Sequence, residues 1–217
     1  MKVLICGSQG YIGLNLTPYL INRKHHVRCY DKIFNQDILD KEQLAESMRG
    51  CDIVYNLAAI PGIRNCEENQ ELAYQINVVG AKNIVETATN YGCKPVLFSS
   101  FAVKGDSYYG KTKLEMEKQN KDKAVILRMS NVFGGIDYQK MKANNFLSRI
   151  AVDDPIQVYD KSQTRDFVHV NSVLDWCLRA VDLPFGVYDV CSGREVDIET
   201  IALIVGMVRD VEVKYGK

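Results

Sequence analysis

Short apolar runs alternate with longer segments of helical period from the start of the chain. Residues 2–6 read as a buried strand, and 11–23 carry Ile12, Leu16, Tyr19 and Leu20 on one helical face. The alternation continues as strand 27–30, helix 41–48, strand 52–57, helix 68–90, strand 95–98, helix 109–120 and strand 124–129. Uniformly apolar strands, each followed by a helix, predict a parallel sheet covered on both faces. Right-handed crossovers then favour a doubly wound α/β arrangement.

The pattern changes after Phe133. Gly134 and Gly135 open an irregular stretch, followed by a helix at 146–151 and short strands at 156–159 and 167–170. A helix at 171–181 has Asn171 as its expected cap, and 187–190 is a further strand. A helix at 197–209 is capped by Asp197 and presents Ile198, Ile201, Ile204 and Val205, and 211–215 reads as a final edge strand. Residues 1–133 are therefore expected to form the main sheet domain. Residues 134–217 are expected to be a small elaboration interleaved with its last strand.

Charge narrows the partners. The chain has 27 Lys plus Arg against 27 Asp plus Glu, a net charge of zero, which argues against broad binding to nucleic acid or an anionic membrane. No apolar run is long enough to span a bilayer, and the first apolar run is too short for a signal peptide. The seven cysteines lack any Cys-x-x-Cys pair, so no zinc site is expected. They read as buried thiols of a reducing, cytoplasmic protein.

Chemistry enters at Gly7-Ser8-Gln9-Gly10-Tyr11-Ile12-Gly13, which follows the first strand and opens a helix. Gly7 permits the turn, Gly10 lets backbone amides approach a pyrophosphate, and Gly13 lets the helix pack near the strand. The helix N-terminus adds oriented N–H groups for the phosphates. Asp31 ends the second strand, where a carboxylate accepts from ribose hydroxyls and repels a 2′-phosphate. This favours NAD over NADP, with the neighbouring Lys32 softening the preference.

Tyr109 and Lys113 stand four apart at a helix start and share one face. An adjacent ammonium favours the tyrosinate, which can then accept a hydroxyl proton as hydride leaves the same carbon. Lys113 can also hold the nicotinamide ribose. Ser99 and Ser100 lie where a strand reaches its carboxyl edge, and Ser100 can stabilise charge on the reacting oxygen.

In these motifs the chain resembles the extended short-chain dehydrogenase/reductase family, in its nucleotide-sugar epimerase/dehydratase branch. The Rossmann-like glycine motif, Tyr109 and Lys113 match. Asp52-Ile53-Val54-Tyr55-Asn56-Leu57-Ala58-Ala59 is similar to the segment in which Leu57, Ala58 and Ala59 line the cofactor. Asp37 and Ile38 resemble the pair beside the adenine, and Asn77-Val78-Val79-Gly80 the cofactor-binding helix motif headed by Asn77. Ser100-Phe101-Ala102-Val103-Lys104-Gly105, the segment 127–134 and Thr164-Arg165-Asp166-Phe167-Val168-His169-Val170 match further motifs. The resemblance implies NAD as cofactor and a nucleoside-diphosphate sugar as substrate, with Asn131 and Arg165 holding the diphosphate and Ser100 near the sugar. It also implies a homodimer built on the helices within 68–90 and 109–120.

The departures fall on the substrate side. Lys104 replaces a tyrosine, only nine positions separate Ser100 from Tyr109, and the C-terminal part is short beside relatives. Phe101-Ala102 stands where dehydratases of this branch carry an Asp-Glu pair. The expected activity is thus NAD-dependent 4-epimerisation of a UDP-sugar through a 4-keto intermediate. The alternatives are a nucleotide-sugar reductase or dehydrogenase, or a non-catalytic NAD-binding module.

Overall fold

The apolar runs of the first part of the chain become strands of one parallel sheet. A computed structural model describes residues 1–136 and 146–216. The elements begin with β1 (Lys2–Cys6), α1 (Tyr11–Asn22), β2 (His26–Tyr30), α2 (Lys41–Met48) and β3 (Ile53–Asn56). Short helices α3 (Ile63–Glu68) and α4 (Gln70–Tyr74) lead through a π-type segment, Gln75–Gly80, into α5 (Ala81–Asn90). Then come β4 (Lys94–Ser100), α6 (Tyr108–Asn120), β5 (Val125–Met129), β6 (Asn131–Phe133) and α7 (Phe146–Ile150). The chain continues with β7 (Ile156–Val158), β8 (Thr164–His169), α8 (Val170–Arg179) and β9 (Gly186–Val190). It closes with β10 (Glu195–Asp197), α9 (Ile198–Arg209) and β11 (Val213–Tyr215).

Among the described residues the main sheet has the order β2-β1-β3-β4-β5-β9, parallel throughout. Side-chain alternation explains why its strands read as continuous apolar runs. Val3, Ile5, Tyr55, Val96 and Leu127 enter a core shared with α1 and α8. Leu4, Cys6, Val54, Leu97 and Ile126 enter a second core shared with α2, α5 and α6. The chain turns to β2 on one side of β1 and to β3 on the other. A crevice therefore opens at the carboxyl ends of β1 and β3, where such sheets bind ligands.

After β5 the chain leaves the sheet for β6, which joins β8 and β10 in a small sheet. It returns as β9, adding the outer strand beside β5. A minor core of Ile150, Ile156, Val158, Ile198 and Ala202 binds α7, β7 and α9 together.

Four expectations change. The helix expected over 68–90 starts at Gln70, after Asn69, whose backbone (φ −139°, ψ 64°) is not helical, and is widened over Gln75–Gly80. The strand at 211–215 does not edge the main sheet, because β11 pairs with β7. The cap of α8 is His169, whose Nδ1 accepts from the Asn171 N–H, rather than Asn171. On α9, Ile198 is buried but Ile204 is exposed, so the buried face turns toward Ala202 and Gly206. The apolar positions Ile84 and Ala88 of α5 are fully buried in the core, which accounts for that part of the stripe within one chain. No described helix is long and apolar enough to cross a membrane.

Candidate active site

The glycine loop is shaped by contacts that leave no room for side chains. Gly7 ends β1 at φ +80°, and a Cβ there would lie 2.5 Å from the Ala58 nitrogen at the end of β3. A Cβ on Gly13 would lie 2.5 Å from the Gly7 carbonyl oxygen, so the first turn of α1 rests directly on the loop. Gly10 precedes α1 without a capping side chain, which leaves first-turn N–H groups for an anion. Asp31 braces the loop, with Oδ2 accepting from the Gln9 N–H at 2.9 Å and Oδ1 from the Ile33 N–H at 3.2 Å.

Two cavities meet across this loop, sharing Gly7, Gly10, Leu57 and Ala59. One, about 310 Å³, is lined by Gln9, Tyr30, Asp31, Lys32, Asp37, Ile38 and Ala58. The other, about 410 Å³, is lined by Tyr11, Ile12, Gly13, Ser99, Ser100, Tyr109, Lys113 and Asn131. Together they form one elongated cleft, with Asp31 toward one end and Tyr109 toward the other.

At the Tyr109 end, α6 starts where Ser107 accepts from the Gly110 N–H. This brings Tyr109 and Lys113 over the end of β4. The Lys113 Nζ is buried, donates to the Phe98 carbonyl at 2.9 Å, and lies 5.9 Å from the centre of the Tyr109 ring. Burial draws the lysine down to about 8, with Cys66 and Glu117 acting the other way. Burial also pushes the Tyr109 phenol up to about 12, against a lowering hydrogen bond with Ser100. Desolvation therefore outweighs the activating ammonium expected beside the phenol. The pair stands as a neutral tyrosine and an easily deprotonated lysine.

Two expected residues lie elsewhere. Asn77 lines neither cavity: its amide accepts from Ile60 N at 2.8 Å and donates to Ile60 O and to Thr112 Oγ1. It ties the loop after β3 to α6 between Tyr109 and Lys113, from the widened turn at Gln75–Gly80. Arg165 is exposed, donates to the Thr164 carbonyl and Gln163 Oε1, and lies outside both cavities. Asn131 does line the cleft and donates to the Asp166 carbonyl at 3.1 Å.

Other lining residues carried no sequence signal. Gln36, Ile33, Leu72 and Ile76 wall the Asp31 end, and Pro61, Phe98 and Met129 the Tyr109 end. Phe98 and Met129 stand on β4 and β5, Leu72 on α4 and Ile76 on the π-type segment, so their place at the cleft follows from how the elements pack and not from motif spacing. Behind the Tyr109 end, Glu117 is buried and holds Arg128 through two bonds of 3.0 and 2.6 Å, and Arg128 reaches Asp189 at 3.0 Å.

The cleft fits a dinucleotide on two observations. The glycine loop is a backbone cradle that any Cβ would fill, and the buried Ser99 hydroxyl has no partner among the described residues. No cluster of three or more His, Cys, Asp or Glu disposed to hold a metal ion occurs among the described residues.

Comparison with known proteins gives the following. The family model described as the NAD dependent epimerase/dehydratase family matches residues 3–191. A provisionally assigned UDP-glucose 4-epimerase of Methanocaldococcus jannaschii is 28% identical, over 92% of this chain and 79% of that protein. A 3-beta-hydroxysteroid dehydrogenase of Mycolicibacterium neoaurum is 23% identical, over 83% of this chain and 61% of that protein. The solved structure of MoeE5 in complex with UDP-glucuronic acid and NAD has a TM-score of 0.87 at 23% identity, covering 100% of this chain and 86% of that one.

Proposed function

The chain belongs to the NAD-dependent epimerase/dehydratase family, and on that premise we propose that it interconverts a UDP-sugar and its C4 epimer. The observation that carries this reading is the Ser100–Tyr109–Lys113 group, with Lys113 buried, at one end of a cleft whose other end is Asp31. Relatives named as UDP-glucose 4-epimerases support the substrate class.

NAD, when bound, supplies a hydride acceptor and donor and a positively charged ring. Gly7, Gln9, Gly10, Tyr11, Ile12 and Gly13 would hold its pyrophosphate. Asp31, Lys32, Asp37, Ile38, Leu57, Ala58 and Ala59 would surround its adenosine half. Tyr109 takes the proton of the sugar C4 hydroxyl while that carbon loses hydride, leaving a 4-keto sugar. Ser100 donates to the C4 oxygen and steadies its charge in both directions. Lys113 would hold the nicotinamide ribose and, when protonated, would lower the cost of the tyrosinate. Asn131 would contact the substrate diphosphate. Tyr109 would give the proton back to the C4 oxygen as the hydride held by the cofactor returned to the other face of the keto sugar, giving the epimer. No net oxidation occurs.

In this reading residues 1–133 carry the cofactor and 134–217 shape the substrate side, within a homodimer in a reducing compartment. Sedimentation at micromolar concentration showing only monomer removes the dimer. The test of the activity is incubation with a panel of UDP-sugars. The expected result is a mixture of C4 epimers with no change in NADH absorbance, and no interconversion of any sugar refutes it. A dehydrogenase is the second reading, favoured by the apolar lining of Pro61, Phe98 and Met129 and by the steroid-dehydrogenase relative. It requires net NADH formation with an alcohol substrate.

A further inference from the structure

Asn15 stands one turn after Tyr11 on α1, where the neighbouring buried positions Leu16 and Leu20 are apolar. Asparagine is a poor helix former, and a buried amide costs stability unless it is bonded. Here both N–H groups and the oxygen are engaged. Its Nδ2 donates to the Tyr11 carbonyl at 2.8 Å and to the Ile136 carbonyl at 3.0 Å, and its Oδ1 accepts from the Ile136 N–H at 2.8 Å. The carboxamide thus pairs with both backbone groups of one distant residue, as a neighbouring strand would. The Tyr11 hydroxyl donates to the Gly134 carbonyl two residues earlier. Gly135 lies between these bonds at φ +81°, and a Cβ there would overlap the Asn15 Oδ1. The segment approaches α1 this closely because the position is glycine.

These contacts join the two ends of the cleft. Helix α1 opens at the glycine loop, and Gly134–Ile136 directly follow β6, whose Asn131 and Val132 line the Tyr109 end. Strand β6 is paired along its length with β8, and its far end meets α1 at Tyr11 and Asn15. Asn15 itself lines neither cavity, so it reaches a ligand only through β6. We propose that Asn15 is a positioning residue for the substrate. Through Ile136 it holds β6 against α1, so that Asn131 meets the diphosphate of a nucleoside-diphosphate sugar in fixed register with the dinucleotide. This rests on the reading that the Tyr109 end takes such a substrate.

Asn15→Ala keeps a strong helix former on α1 and removes all three bonds. Gly135→Ala disturbs the same contact from the other side. Both variants and the double variant are compared with the wild type by calorimetric titration with NAD, titration with UDP at saturating NAD, and kinetics of UDP-sugar interconversion. Asn15→Ala is expected to weaken UDP binding roughly tenfold, toward the lower end of what two neutral hydrogen bonds are worth. KM is expected to rise in proportion, with kcat within about threefold and NAD affinity within about twofold of the wild type. Because both substitutions break one contact, the double variant is expected to lose no more than the weaker-binding single variant. Unchanged UDP affinity and KM in Asn15→Ala, with only its urea midpoint lowered, makes the residue a purely structural one and overturns the inference. So does an equal loss of NAD and UDP affinity, or losses that add in the double variant. A wild type that binds NAD but not UDP overturns the substrate reading, and the inference with it.

Discussion

Burial of Lys113, the residue proposed to hold the nicotinamide ribose, has a stability cost that can be measured without substrate. Its ammonium is buried, and its pKa is drawn from the ordinary 10.5 to about 8. That difference corresponds to about 3 kcal/mol of cost for holding the charged form in the folded protein below pH 8. The bond to the Phe98 carbonyl returns about 1 kcal/mol of it. Lys113→Met keeps an unbranched apolar stem and removes the charge. The ligand-free variant is therefore expected to be more stable than the wild type by about 2 kcal/mol at neutral pH. The pH dependence fixes the cause. Between about 8 and 10.5 the folded wild type has lost its proton while the unfolded chain retains it, so wild-type stability rises relative to the variant and the gap closes. Urea unfolding of both proteins at pH 7 and about pH 9.5 reads this directly. A variant less stable than the wild type at pH 7, or a gap that does not shrink with pH, refutes the reasoning.

Other outcomes follow from the same geometry. Tyr109→Phe is expected to lower epimer interconversion by roughly 10²- to 10⁴-fold while leaving NAD affinity within about twofold, read by product analysis and calorimetry. Gly13→Ala forces a Cβ to 2.5 Å from the Gly7 carbonyl oxygen, and is expected to cost about 1–3 kcal/mol in urea unfolding and to weaken NAD binding sharply. Arg128→Ala leaves the buried Glu117 without its partner, with an expected loss of about 3–5 kcal/mol on unfolding; a loss below about 1 kcal/mol contradicts that assignment. Arg165→Ala is expected to change UDP affinity less than about threefold, because the guanidinium bonds to Thr164 and Gln163 outside the cleft, and a tenfold loss shows that it swings in.

Much of this arrangement is legible in the sequence where one residue type answers one local demand. The strands of the main sheet read as apolar because both faces are covered, and the glycine loop reads because Gly7 and Gly13 sit where backbone leaves no space. The expected 68–90 helix is present from Gln70 to Asn90, but the apolar pattern carries no sign of its π-type widening over Gln75–Gly80. Asn77 reads as a cofactor ligand because its motif resembles a cofactor-binding one, but its amide is taken up by the Ile60 backbone and Thr112, partners distant in sequence, and it lines neither cavity. The pairing of β8 with β6 and β10 is likewise long-range, so no local pattern shows where Arg165 points.

The same limit explains the chemistry of Tyr109 and Lys113. Their four-residue spacing places them on one face, but spacing carries no information about dielectric. Burial of the lysine depends on β4 presenting the Phe98 carbonyl and on α6 being held down by Asn77 through Thr112. That burial sets both groups toward their neutral forms, the lysine at about 8 and the phenol at about 12. A positively charged ring bound nearby would favour the tyrosinate. On the proposed reading Tyr109 would become an effective base only with the cofactor in place, because burial raises its phenol pKa without it. A single comparison separates this from a permanently activated tyrosine. Ultraviolet titration of the phenol, taken as the difference between wild type and Tyr109→Phe, should place it near 12 without NAD and lower with NAD bound. Equal values in the two states would mean that the cofactor does not switch the base.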